Sequence, residues 1–199
     1  MSKKIYIGID PDLRLLNAAI VTYDKRPLQV FARRNPLGID GQAVVNASRA
    51  ACRLIEDVIS YFVVHEELSQ CETVLVIEDQ NMMHVKKMRE KGKKINYKDI
   101  KTLAQVTGCL MGAFSNMSNS SYLVQAIDWK GTLPKDISHE RYYTALGLES
   151  DETKKLKNIY PKSLKALSEW SHDKINPGDF MDINDSLGLA LYGAKKGLI

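Results

Sequence analysis

Near its amino terminus the chain runs Lys4-Ile5-Tyr6-Ile7-Gly8-Ile9-Asp10-Pro11. This is an apolar, β-branched run that ends in a carboxylate and is then stopped by proline. A run this apolar suits a strand covered on both faces, and Pro11 cannot supply the next ladder donor. Asp10 is therefore expected at the carboxyl end of a central strand, where open α/β sheets hold their ligands. The same residues also suit a strand that simply ends in an Asp-containing turn. The choice rests on whether the chain supplies partners for Asp10.

Working outward, Asp12 to Leu16 reads as a turn and Asn17 to Tyr23 as a second strand. Leu28 to Arg33 alternates with period two, as a third strand with one wet face does. Short connections make these three an antiparallel meander. From about Gly41 to Leu68 the spacing becomes helical: Val44, Val45, Ala51, Leu54, Ile55, Val58, Ile59 and Phe62 mark one apolar face. Thr73-Val74-Leu75-Val76-Ile77-Glu78 then repeats the opening theme, an apolar strand ending in an acid. Strand, long helix and buried strand form a crossover, which lays the new strand parallel to an earlier one. If that neighbour is the first strand, Asp10 and Glu78 emerge side by side.

Asn81 to Lys94 reads as a loop or an irregular helix start, and Tyr97 to about Met117 as a helix with Ile100, Leu103, Ala104, Val106, Thr107, Leu110, Met111 and Phe114 buried. Gly108 and Gly112, four apart, suit tight helix-on-sheet packing. Tyr122 to Ile127 is a fifth strand, and Ser138 resembles the N-cap of a further helix. Gly147 to Tyr160 is a polar surface excursion, followed by a short helix from Pro161 to Trp170 and a Pro/Gly loop to Asp179. The last helix runs from about Met181 to Lys196. The expected architecture is a single α/β domain over residues 1–199: a five-stranded mixed sheet, three antiparallel strands then two parallel, flanked by helices. A helical excursion occupies about 136–178.

Composition limits the function classes. At 199 residues the chain suits one well-cored domain. No apolar run approaches the roughly 20 residues that span a bilayer, and no signal-peptide core follows Lys3 and Lys4. Cys52, Cys71 and Cys109 are odd in number and far apart, which favours free thiols in a reducing compartment over disulfides or structural zinc. Cytoplasmic localisation is expected. Between His84 and Lys101 eight cations face two acids, so the rest of a chain of net charge +4 is slightly acidic. A basic segment on such a body suits a polyanion, although a lysine run is also compatible with a solvated face. Lys86, Lys87, Arg89, Lys93 and Lys94 lie in it.

Asp182 and Asp185 are three apart on the last helix and share a face. Acids there also favour the positive end of a helix dipole, so the pair alone does not decide between structure and chemistry. With Asp10 and Glu78, the chain offers four hard oxygen donors of the kind that suits Mg²⁺ or Mn²⁺. Crowded together, four acids repel one another unless divalent cations neutralise them. Two ions about 3.5–4 Å apart activate water and stabilise the leaving oxygen of a phosphodiester, and the basic segment supplies binding to a polyanion.

Gly8-Ile9-Asp10-Pro11, Val76-Ile77-Glu78-Asp79-Gln80, Gln105-Val106-Thr107-Gly108 and Asp182 to Ala190, in that order along the chain, resemble the RuvC-type Holliday junction resolvases, especially divergent phage members, within the retroviral-integrase/RNase H superfamily. The resemblance implies an RNase H-like fold, with Asp10, Glu78, Asp182 and Asp185 as catalytic metal ligands for two Mg²⁺ ions, Mn²⁺ substituting. It implies that Lys130 and Lys135 contact the scissile backbone; ordinary surface charge is the other reading of those lysines. It further implies a homodimer that makes paired symmetric nicks in four-way DNA junctions, in the cytoplasm of a bacterium or of a phage's host. The chain departs from the family in having Asp12, and a residue near Asn17, where glycines are usual. Asn81-Met82-Met83 stands where an aromatic wedge is expected, so Met82 or Met83 takes the wedge position at the junction centre. A branched-DNA-binding protein without cleavage and an RNase H-type nuclease for RNA–DNA hybrids are the alternatives. An actin-like or sugar-kinase phosphotransferase needs two lobes and glycine-rich phosphate loops, which this chain lacks.

Overall fold

The computed structural model describes residues 3–12, 14–35, 42–79, 97–148, 167, 168, 171, 173 and 179–198. Its centre is a five-stranded sheet of order β3-β2-β1-β4-β5. Strands β1 (Lys4–Pro11), β2 (Leu15–Thr22) and β3 (Pro27–Arg34) form the antiparallel meander. β4 (Glu72–Asp79) and β5 (Ser120–Gln125) add to it in parallel. Among the described residues the helices are α1 (Gln42–Val64), α2 (Glu66–Ser69), α3 (Tyr97–Phe114), α4 (Ala126–Trp129), α5 (Lys135–Ala145) and α6 (Phe180–Lys196).

The opening strand lies in the middle of the sheet, and its two faces carry two cores. Successive strand side chains point to opposite faces. Ile5, Ile7 and Ile9 pack with Leu75 and Ile77 under α1 and α3, where Leu54, Val58, Val106 and Leu110 meet them. Tyr6, Val74 and Val76 face the other way, onto Ile183, Leu187, Ala190 and Leu191 of α6 and Tyr142 of α5. Asp10 follows Tyr6 and Gly8 in the alternation, and Glu78 follows Val74 and Val76. Both carboxylates therefore lie on the α6 face.

Several boundaries differ from the sequence reading, each for a local reason. The turn after Pro11 is tighter than expected: Asp12 Oδ1 accepts the Arg14 amide at 2.7 Å, an Asx-type turn, and Leu15 and Leu16 are already buried strand residues. β3 has no wet face along its middle, because Arg33 points inward onto buried Asp57 in a bidentate pair at 2.5 and 2.6 Å. Residues from beyond α5 also lie along β3, with the Val30 amide donating to the Leu167 carbonyl and the Ala32 amide to Ser171 Oγ.

The long helix breaks at His65, whose backbone leaves helical angles while its ring packs at a tilt against Tyr61. Val45 and Ile59 turn out to be exposed. The third helix ends at Phe114, three residues early, and Ala104 lies on its outer face. Gly108 and Gly112 face open space among the described residues, so the expected tight packing at these glycines is absent. The fifth strand gives way to helical α4 at Ala126. The next helix starts at Lys135 behind Pro134, and Ser138 is a buried position inside it rather than its cap. The 147–160 excursion, the 161–170 helix and the 171–179 loop fall largely outside the described residues.

Candidate active site

Gly8 is what lets the last helix reach the central strand. A Cβ there would collide with the backbone carbonyl of Ser186 and the amide of Ala190. Without that side chain, the backbone of α6 rests directly on β1. Gly193 repeats the device further along, against Tyr6 and Val76, and Gly188 makes room for Trp129 and Tyr142. The approach at Gly8 brings the amino-terminal part of α6, with Asp185, over the end of β1. In the parallel pairing, Gly8 faces Val76 and Ile9 faces Ile77. Asp10 and Glu78 stand one residue beyond.

The electrostatics show that these three acids share a field. Withdrawal from water raises the Asp10 carboxyl well above its ordinary range, and Glu78, Asp185 and Asp12 add repulsion that Lys130 only partly offsets. Burial likewise raises Glu78; Lys130 opposes it while Asp185 pushes it further up. Burial also works against the charged form of Asp185. There, however, a hydrogen bond from His139 and the charges of Lys130 and Lys135 prevail, and its pKa is lowered. Three neighbouring carboxylates thus differ in how readily they ionise.

Two lysines run between them. Lys130 Nζ lies 3.6 Å from Glu78 Oε2 and 3.7 Å from Asp185 Oδ2, over the Trp129 ring. Lys135 Nζ lies 3.1 Å from Asp182 Oδ1 and 3.2 Å from Asp185 Oδ2. Burial disfavours the Lys135 ammonium, yet Asp185 and Asp182 outweigh it and raise its pKa. Asp182 is the outermost acid, 40% exposed where Asp185 is 8%. Asp179, one helical turn before Asp182, is held by Arg34 at the start of α6.

The donor set suits a hard divalent cation. Four carboxylates face two ammonium groups, and among the described residues buried Glu78 Oε2 has no partner within hydrogen-bond distance, Lys130 Nζ standing 3.6 Å away. As the side chains stand, among the described residues no three His, Cys, Asp or Glu groups close around one point. The ammonium groups of Lys130 and Lys135 take up the space between the acids.

T. thermophilus RuvC, in a structure with its Holliday junction substrate, superposes with a TM-score of 0.57 at 16% identity, covering 98% of this chain and 96% of that one. The fold is that of RuvC. A second Thermus thermophilus RuvC structure agrees, with a TM-score of 0.52, 16% identity, and 97% and 96% of the two chains covered. No protein-family model matches the chain, and a search of curated protein sequences finds no match.

On this RuvC-like fold, Asp10, Glu78 and Asp185 come together, Asp182 sits at the rim, and Lys130 and Lys135 project among them. Lys86, Lys87, Arg89, Lys93, Lys94, Met82 and Met83 lie outside the described residues. Sequence reasoning missed His139, whose Nε2 lies 3.0 Å from Asp185 Oδ1. Its signal was present: His139 is four residues after Lys135 on α5, on the same helical face. Misplacing the helix start at Ser138 hid that register. Among the described residues no helix is long and apolar enough to cross a membrane.

Proposed function

We propose that this protein is a divalent-metal-dependent endonuclease that cuts branched DNA, with the four-way junction as its principal substrate. The observation that carries the reading is Asp10 and Glu78 at the carboxyl ends of parallel β1 and β4, with Asp185 of α6 near enough to perturb both, on a RuvC-like fold. Asp10, Glu78 and Asp185, with Asp182 at the edge, hold Mg²⁺ or Mn²⁺. When bound, such ions activate a water and stabilise the charge that develops on the leaving oxygen.

The chain's own residues do the rest. The carboxylates at the end of β1 and β4 are held on a rigid sheet, so their oxygens are placed before substrate arrives. Lys130 and Lys135 partly offset the acids in the resting protein and would pair with a phosphate bound beside them. A phosphodiester carries one negative charge per residue, and two ammonium groups beside the acid cluster draw one such group to it. From the sequence, Lys86, Lys87, Arg89, Lys93 and Lys94 are assigned to binding the DNA backbone, and Met82 or Met83 to the wedge at the branch point. Two copies related by a two-fold axis match the near two-fold symmetry of a four-way junction, and each nicks one of two opposed strands.

Incubation with labelled four-way, three-way, flap, RNA–DNA hybrid and linear duplex substrates, with and without Mg²⁺, tests the reading. Mg²⁺-dependent paired nicks in the four-way substrate are expected. Cleavage confined to the hybrid would replace it with an RNase H-type activity. Binding without cleavage in Mg²⁺ and Mn²⁺ would leave a branch-binding protein.

A further inference from the structure

His139 lies on α5 at 3% exposure, beneath the acid cluster rather than in it. Its Nε2 is 3.0 Å from Asp185 Oδ1. The other ring nitrogen, Nδ1, lies 3.5 Å from Asn184 Nδ2, and that amide also meets the Tyr143 hydroxyl. An ionised carboxylate only accepts, so the ring proton in this contact resides on Nε2. His139 therefore donates to Asp185 Oδ1. The opposite oxygen, Oδ2, is the one that Lys130 and Lys135 reach, at 3.7 and 3.2 Å. One oxygen of Asp185 is tied back into the protein and the other is presented to the site.

That division is not intrinsic to an aspartate, whose terminal torsion is broad and two-fold. We infer that His139 is a positioning residue for divalent-ion binding: by holding Asp185 Oδ1 it fixes Oδ2 toward Glu78 and the ions. Hydrogen bonds behind metal-binding carboxylates orient them, and losing one typically lowers metal affinity about 10–100-fold. The inference rests on the proposed metal-dependent reading. Asn184 and Tyr143 keep the ring from turning and so belong to the same support. Lys135, one turn earlier on α5, engages the other oxygen, so a single helix face sets both.

The test uses the full chain without DNA and reads Mn²⁺ binding by calorimetry. His139→Leu keeps bulk and removes the donor; its affinity is expected to fall about 10–100-fold. His139→Gln offers an amide N–H near the Nε2 position and is expected to restore most of it. Wild-type affinity in the Leu variant, or equal weakness in Leu and Gln, would overturn the inference while leaving the nuclease reading intact. If wild-type protein binds neither Mn²⁺ nor Mg²⁺, both fall together. Should the Leu variant fail to fold, ¹⁵N-histidine spectra of the wild type decide. The His139 Nε2 resonance is expected to shift with Mg²⁺ saturation, and a resonance that stays fixed overturns the assignment.

Discussion

The carbonyl oxygen of Ser186 occupies the place where a side chain on Gly8 would begin. A strand in the centre of the sheet and the helix that carries Asp185 are thereby in backbone contact, and the position of one acid is set by an empty Cβ on the strand of another. Gly8→Ala forces α6 outward. The expected loss is about 1–3 kcal/mol, as for overpacking elsewhere, read as a lower denaturant midpoint with unchanged slope. Nicking activity per folded molecule should fall as well, because Asp185 moves with the helix.

Asp10 makes the opposite prediction for stability. Its folded pKa is raised, so the folded state holds the proton more tightly than the unfolded chain does. Below the unfolded value, near 3.8, both states are protonated and the group contributes nothing. As pH rises past that value the unfolded chain ionises first, and stability declines until the folded carboxyl also ionises. In chelator, Asp10→Asn should melt with wild type at pH 4 and above it at pH 8. A variant that is less stable than wild type at pH 8 would contradict the placement of Asp10 among Glu78 and Asp185. The same substitution should reduce cleavage by on the order of 10³-fold while junction binding persists.

Removing a lysine works in the other direction. Lys130 lies between Glu78 and Asp185, so Lys130→Met leaves two mostly buried carboxylates less compensated. In chelator at neutral pH it should cost about 1–2 kcal/mol, discounted for the lysine's partial exposure. Added Mg²⁺ should narrow the difference from wild type, since an ion replaces the missing charge. Melting curves with and without Mg²⁺ measure both effects.

Arg33 and Asp57 test the scaffold apart from the site. The Asp57 side chain is 1% exposed and Arg33 grips both of its oxygens. Arg33→Met strands a buried charge and should destabilise by about 3–5 kcal/mol. For a chain of this size each kcal/mol lowers Tm by roughly 2–4 °C. Arg33→Met combined with Asp57→Leu should regain most of the loss. Cleavage per folded molecule should stay near wild type in both, since neither residue touches the acid cluster.

What the sequence determined by itself was whatever depends on local period. The doubly buried runs of β1 and β4, each ending in an acid, fixed the central strands. The crossover between them fixed their parallel direction, and the three-residue spacing of Asp182 and Asp185 fixed their shared face. Those rules were enough for three antiparallel strands followed by two parallel ones; that β4 lies beside β1, which groups Asp10 with Glu78, came from the structure.

The tertiary structure decided what depends on packing between distant segments. Arg33 read as a wet-face residue until Asp57, on α1, was found to hold it. Gly108 and Gly112 carried the spacing of a packed helix face and turned out to be open, whereas Gly8, inside a strand, proved to be the close contact. His139 offered only its register with Lys135, because its partner, Asp185, lies 46 positions away along the chain. A hydrogen bond of that span is set by how α5 and α6 lean together, and local propensity carries no record of it.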